Sequence, residues 1–474
     1  MTTLTDWFER RRLVRKGLAC DKTRLSHSDD TLQTRAESSW KMRMVLLAFF
    51  LALLHVGVWW KHPGNVLEDQ ILAFIIFIAG LMLLELDCPE IWRSNSRLVL
   101  ILSTIWFSLL VVKGIYLRWF FGHVGANMGL FYFASPLTLA PFFITLLLGT
   151  RAGLFSVVLF SMLSSLLIGR DFIVLLLSLL SGFTAVYFSQ NVRKRADLIR
   201  AGVAVGCLNL IFATVLGMVH GRSLGDLGEQ AAWGLGAAIA TALFVSAVLP
   251  LLEAAFQITT TISWLELADL NHPLLQRMTM EAPGTYHHSL IVANLAEAGA
   301  KAVGLDATAC RVMAYFHDIG KIIKPEYFTE NIPPGASPHE NLTPSMSALI
   351  IIAHVKEGVD LALKYGLKKQ VLDAIEQHHG DSIVGYFHQR ALQQAQDARE
   401  GGKIMNMREE DVPEVSENSF RYPGPKPQTR EIGPALHRRR RGGRLALAGE
   451  AHLAAHRGPR QRDRRAQDRH RPAR

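Results

Sequence analysis

Eight apolar runs follow one another through the first 256 residues, at about 44–60, 70–86, 98–118, 129–149, 152–168, 171–189, 199–219 and 231–256. Each is about the 17–25 residues an α-helix needs to cross a bilayer. One or two such runs could be buried helices of a soluble domain; eight in succession argue against it. The front of the chain therefore reads as a polytopic membrane helix bundle. Residues 1–43 are polar and carry ten Lys or Arg, and a first apolar run this late does not suit an ordinary signal peptide.

Positive residues set the expected orientation. The basic leader argues for a cytoplasmic N-terminus. Arg193, Lys194, Arg195 and Arg200 mark a second inside loop, and an even number of spans returns the chain inside after residue 256. Trp59, Trp60, Trp119 and Trp233 fall near predicted interfaces, where amphipathic aromatics belong. Lys113, near the outer end of the third span, is expected to snorkel, and Arg170 and Asp171 sit at a span boundary. No row of buried acids suggests an ion pathway, so an anchoring or sensing bundle is favoured over a transporter. The four cysteines, Cys20, Cys88, Cys207 and Cys310, are scattered and lack CxxC spacing, which argues against a disulfide framework or zinc ribbon.

The net charge of +10 suggests nucleic acid until it is located. Residues 432–474 hold 13 Arg and three acids, which is the whole excess, and the remaining 431 residues are balanced.

Beyond residue 256 the periodicity is helical. Residues 257–278 read as a connecting helix and 279–431 as an all-helical domain. One helix carries His288 with an apolar stripe at helical spacing. A second, about 306–318, ends in His317-Asp318 before Gly320. Residues 322–343 form a Pro- and Gly-containing loop. Thr343-Pro344-Ser345 opens a third helix, which bears His354, and a fourth, about 368–379, ends in His378-His379 before Gly380. Helix bundles commonly build metal sites from facing helices in this way.

Six imidazole and carboxylate groups on apolar helical backbone suit iron, manganese or zinc. Two metals about 3.5–4 Å apart clamp a phosphate and generate hydroxide near neutral pH. Asp318, with two oxygens, is the expected bridge. His288 joins one metal; His354, His378 and His379 join the other. Lys321 is a candidate to hold a substrate phosphate, with a solvated helix-end lysine as the alternative. His287 lies about 100° round the helix from His288 and is left out, by the 3.6-residue repeat. His339 and His388 are expected at the surface.

Several blocks resemble the bacterial seven-transmembrane HD-domain cyclic di-AMP phosphodiesterases. They are Asn271-His272-Pro273-Leu274-Leu275, EAPGTYHHSL (281–290), HDIGK (317–321), PEYF (325–328), TPSMSALIII (343–352), HVKEG (354–358), EQHHG (376–380) and FRYPGPKPQTRE (420–431). The resemblance covers residues 70–256, as a seven-span bundle behind a separate first span at 44–60, and 279–431, as a cytoplasmic HD domain. It implies a multi-pass enzyme of the bacterial inner membrane, with both termini cytoplasmic, that linearises cyclic di-AMP to pApA with two iron or manganese ions. By the same resemblance His288, His317, Asp318, His354, His378 and His379 match the metal ligands. The expected partners are a cyclic dinucleotide and the lipid bilayer, with a homodimer left open and no nucleic acid polymer. The related cyclic di-GMP enzymes carry Gly-Tyr-Pro after their His-His pair; here Gly385-Tyr386 is followed by Phe387, which disfavours cyclic di-GMP.

Two departures stand out. The family places a large extracytosolic domain after its first span, where this chain has only the short loop 61–69. The family also has a Leu-Ala-Asp after the FRYPGPKPQTRE block that supplies a last ligand; in that register the position is Arg439. From Ile432 onward there is no Lys, Ser, Thr, Asn, Val or aromatic residue. That is the composition of a GC-rich gene read out of frame, and a frameshift near the codon for Glu431 is expected. The alternative is a genuine basic tail, disordered by composition and drawn to anionic lipid or nucleic acid. A frameshifted product would be weakly active or inactive. Three functions therefore stand: a cyclic di-AMP phosphodiesterase impaired in this chain, a catalytically inactive membrane receptor for the nucleotide, and an HD phosphohydrolase of another nucleotide.

Overall fold

The computed structural model describes residues 37–59, 65–122, 128–333, 337–404 and 415–433. The basic leader before residue 37, the first part of the expected 61–69 loop and the Arg-rich tail beyond residue 433 lie outside the described residues; residues 66–69 of that loop already belong to a helix. The chain divides into two units, Met1–Ser263 and Trp264–Arg474. Both are all-α; among the described residues the one extended pairing is an isolated bridge between Ile383 and Arg421.

The first unit holds α1 (Trp40–Trp59), α2 (Val66–Asp87), the short α3 (Pro89–Trp92), α4 (Asn95–Gly122), α5 (Met128–Ala134), α6 (Leu139–Leu148), α7 (Thr150–Leu167), α8 (Phe172–Ser189), α9 (Arg195–Val219) and α10 (Leu224–Phe256). Eight stretches among the described residues are long and apolar enough to cross a membrane; the chain is a multi-pass membrane protein. In the fourth and fifth, 72% of the window is buried, against 28% in the first, second and eighth. The fourth and fifth therefore form the centre of the bundle. Phe49, Val56, Ile71 and Met82 stay exposed on α1 and α2, which are faces suited to hydrocarbon.

The fourth span is broken, which the hydropathy did not reveal. Ser135-Pro136-Leu137-Thr138 interrupts it between α5 and α6. Pro136 has no N–H to donate, and Ser135 Oγ donates to Phe131 O at 2.7 Å. Ser135, Leu137 and Thr138 are buried in protein, where irregular backbone is tolerated at membrane depth.

Lys113 does not snorkel. It is 1% exposed, and its Nζ donates to Leu167 O at 2.8 Å, near the end of α7. An orphan carbonyl at a helix terminus needs a donor, and the Lys113 ammonium supplies one. Arg170, at φ 63°, pairs with Glu68 at 2.7 Å and Asp69 at 2.6 Å. Asp171 caps α8, accepting from Ile173 N and Val174 N, and takes a hydrogen bond from Tyr132 Oη at 2.7 Å.

Residues 257–278 form two helices, α11 (Thr261–Leu267) and α12 (Pro273–Glu281), where one was expected. The turn between them is fixed by His272, whose side chain accepts from Leu274 N at 3.2 Å. Trp264, Leu274, Leu275 and Met278 join the core of the second unit. Around that core stand α13 (Pro283–Ala302), α14 (Ala307–Phe316), α15 (Pro344–Lys364) and α16 (Lys369–Gln377), while α17 (Gly385–Ile404) packs with Ala348 and Phe420 in a separate apolar cluster. Asp306 caps α14 at Ala309 N, Thr343 caps α15 at Met346 N, and Pro opens α12, α13 and α15, where its missing N–H costs nothing. The described parts of the loop 322–343 form successive 3-10 turns.

Candidate metal centre

Helix ends bring the six groups together. His288 lies in the first turns of α13, His317-Asp318 close α14, His354 sits within α15, and His378-His379 follow α16. Backbones approach closely at Gly320. A Cβ there would stand 1.8 Å from His354 O and 2.5 Å from Gly358 N. The turn after Asp318 can therefore touch the backbone of α15 only without a side chain, and this contact sets His354 against Asp318.

The groups form two sets that share Asp318. Asp318 gathers with His354, His378 and His379, and separately with His288 and His317. Its Oδ2 lies 3.0 Å from His317 Nε2 and 3.9 Å from His288 Nε2; its Oδ1 lies 3.3 Å from His354 Nε2 and 3.4 Å from His378 Nε2. Asp318, His354 and His378 are buried, while His288 and His379 are half-exposed, so the cluster opens to solvent on their side.

Three rings are oriented by one device. His317, His354 and His378 each direct Nδ1 at the carbonyl three residues back, on Ala314, Ile351 and Ile375. A carbonyl only accepts, so each Nδ1 carries a proton, and in the neutral ring that leaves Nε2 with a lone pair. These lone pairs face a carboxylate, and neither Asp318 oxygen accepts a hydrogen bond of good geometry. Lone pairs converging on a buried anion repel it unless cations lie between them. The donor set fits divalent metal, and carbonyl-anchored imidazoles are its usual support. Burial lowers His354 and pushes His378 down to about 3, which keeps both rings neutral. Burial opposes charge on Asp318, yet the Lys321 ammonium at 2.9 Å helps hold the carboxyl well below its ordinary value.

Lys321 is buried against the cluster and is not the solvated helix-end lysine of the alternative reading. It is 3% exposed; its Nζ lies 2.9 Å from Asp318 Oδ2 and 2.6 Å from Glu330 Oε1, above the Phe328 ring. A buried ammonium must be paired, and two carboxylates occupy it. Burial opposes the charge on Glu330, but Lys321 holds its carboxyl below the ordinary value. Glu330 meets Thr285 Oγ1 at 3.3 Å, and Asn331 Oδ1 accepts from Thr285 N. Lys321 thus ties Asp318 to the 3-10 loop.

His287 is exposed and outside the cluster. His339 is buried, 6% exposed, with Nε2 at 2.8 Å from Tyr327 O and its ring against Phe387; an irregular loop was mistaken for an exposed one. His388 is half-buried on α17, against Phe420. Arg439 lies outside the described residues. Sequence reasoning missed Glu330 and Tyr422, whose ring stacks on His379 at 3.8 Å; both come from segments without periodicity.

Residues 65–260 match the family described as 7TM receptor with intracellular HD hydrolase, and residues 285–411 match the HD domain. The cyclic-di-AMP phosphodiesterase PgpH of Listeria monocytogenes serotype 1/2a (strain 10403S) is 36% identical over 311 residues, covering 65% of this chain and 41% of that protein. The cyclic-di-AMP phosphodiesterase PgpH of Bacillus subtilis (strain 168) is 29% identical over 367 residues, covering 75% and 48%. The chain thus spans less than half the length of these curated relatives. A crystal structure of the L. monocytogenes PgpH HD domain in complex with cyclic-di-AMP is 42% identical, covers 35% of this chain and 70% of that one, and superposes with a TM-score of 0.30.

Proposed function

We propose that this chain, which belongs to the seven-transmembrane HD-domain family, is a metal-dependent phosphodiesterase that hydrolyses cyclic di-AMP to pApA. One observation carries the reading: imidazole lone pairs from separate helices converge on the single buried carboxylate of Asp318. The names of the two relatives, both cyclic-di-AMP phosphodiesterases, support the substrate.

His288, His317 and Asp318 would hold one divalent ion, and Asp318, His354, His378 and His379 the other, with manganese or iron as the proposed metals. Bound there, two such ions supply Lewis acidity toward a phosphoryl oxygen and a nucleophile drawn from water at neutral pH. Asp318, common to both sets, would be shared by the two ions, and Lys321 holds its carboxylate in place through the pair with Glu330. The half-exposed His288 and His379 mark the side from which a phosphodiester enters. The positive residues support cytoplasmic termini in the bacterial inner membrane.

Activity of this exact chain is proposed to be impaired, because the family's last aspartate would fall at Arg439. The same feature favours a second reading for this gene product, a nucleotide-binding receptor without turnover. Purified full chain and a frame-restored version, each with Mn²⁺, are to be assayed on cyclic di-AMP, cyclic di-GMP and a deoxynucleoside triphosphate. The expected result is selective pApA formation by the restored protein and little by this chain. A restored protein that loads metal but leaves cyclic di-AMP intact overturns the proposal. Resequencing tests the frame, and mass photometry separates monomer from homodimer.

A further inference from the structure

The matched HD domain ends at residue 411, yet the second unit is not complete there. Residues 420–432 return across the His378-His379 corner. Val384 N donates to Phe420 O at 2.8 Å, and Tyr422 N to Ser382 O at 2.9 Å. Arg421 Nη1 donates to Asp381 O at 2.7 Å, and Gln428 N to Gln377 Oε1 at 2.8 Å. Gly424 lies so near Glu376 O that a Cβ would stand 2.5 Å from it. Farther on, Glu431 O accepts from Cys310 Sγ, and Ile432 is 2% exposed in the helical core. This strap is anchored at both ends and in its middle.

Its one aromatic contact with the cluster is Tyr422. The ring is 5% exposed and lies on His379 at a centroid distance of 3.8 Å and an interplanar angle of 4°. It also meets His354 edge-on at 6.2 Å. His379 is half-exposed and follows the end of α16; its ring meets His378 at 4.2 Å and His354 at 5.1 Å besides Tyr422. A flat neighbour restricts the ring, because rotating the imidazole would drive its edge into the phenol face. The strap's backbone bonds to Ser382 and Asp381 hold Tyr422 in place for this.

We infer that Tyr422 is a positioning residue: it holds the imidazole of His379 in the orientation that completes the His354, His378 and His379 metal set. The inference rests on the proposed metal reading. It makes the strap part of the catalytic unit, although the strap reaches the metals only through His379.

The test is Mn²⁺ titration of the metal-stripped full chain in detergent, with metal affinity and the electron paramagnetic resonance signal as readouts. Tyr422→Leu keeps apolar volume and removes the flat face; Tyr422→Phe keeps the face. Leu is expected to weaken the ion at the His354, His378 and His379 set by about tenfold or more, the range for supports of a metal ligand, and Phe to restore it. In a His379→Ala background, Tyr422→Leu is expected to add nothing. Equal affinity in Leu and wild type, or effects of Tyr422→Leu and His379→Ala that simply add, overturns the inference. If Tyr422→Leu fails to melt cooperatively, Tyr422→Met carries the same comparison. Wild type that binds no Mn²⁺ refutes the metal reading itself, a result distinct from both.

Discussion

Gly320→Ala is a one-methyl change beside the site that leaves every candidate ligand in place. The added Cβ would meet His354 O at 1.8 Å and Gly358 N at 2.5 Å, both backbone atoms of α15. No rotamer can relieve a clash with backbone. To reach 3.0 Å, below which Cβ contacts are essentially not found, the HDIGK turn and α15 must separate by about 1.2 Å. Asp318 lies two residues before the methyl and His354 carries the struck carbonyl, so the shift moves the bridge away from one of its ligands. Overpacking of this kind costs about 1–3 kcal/mol of stability, and a misplacement of about 1 Å at a catalytic centre costs roughly a hundredfold in rate. The assay uses the frame-restored chain: bound Mn²⁺ per chain, thermal unfolding, and hydrolysis of cyclic di-AMP. The expected outcome is a folded protein with a loosened metal set and about a hundredfold slower turnover. Gly385→Ala, where a Cβ meets nothing within 4 Å, serves as control and should leave all three unchanged. Wild-type metal content and rate in Gly320→Ala would show that backbone contact at this turn does not set the site.

Asp318→Asn should remove both ions, because the two sets share this carboxylate; retention of either ion, measured by elemental analysis, counts against a bridging role. Lys321→Met should lower stability by about 3 kcal/mol, since it strands Glu330 and breaks a buried pair, with the loss read by denaturant unfolding. Glu330 has a lowered folded pKa, so its contribution is complete above the ordinary glutamate range and fades as pH falls through the lowered value; Lys321→Met should lose that acid dependence. Chelation should lower the unfolding temperature of the wild type and leave Asp318→Asn unmoved, which calorimetry can check.

Contiguous hydropathy made the spans legible, since burial in lipid demands unbroken apolar runs. The same signal hid the break in the fourth span: Ser135-Pro136 sits among residues apolar enough to keep the average high. The six metal-type groups were legible because adjacent pairs, His317-Asp318 and His378-His379, are rare on apolar helices. Their supports were not. Glu330 and Tyr422 reach the cluster from irregular segments, where no periodicity ties a residue to a partner far along the chain. His339 shows the same limit from the other side, because a loop rich in Pro and Gly was taken for a solvated one when it is packed under Tyr327 and Phe387. Lys113 was misread because a helix-end carbonyl offers a lysine a buried partner.

The strap also bears on the order in which the protein is made. Synthesis runs from the N-terminus, so α13 to α16, with His288 through His379, leave the ribosome before Phe420 to Ile432. The Cys310 to Glu431 contact spans 121 residues, and a contact of that separation closes late, because the intervening chain must first be confined. A nascent chain that has already exposed all six candidate ligands still lacks the face against which His379 rests. Loading with metal at that stage would act on an unfinished centre. The core position of Ile432 means that the last residues of the strap, rather than the histidines, mark the moment at which this unit can close.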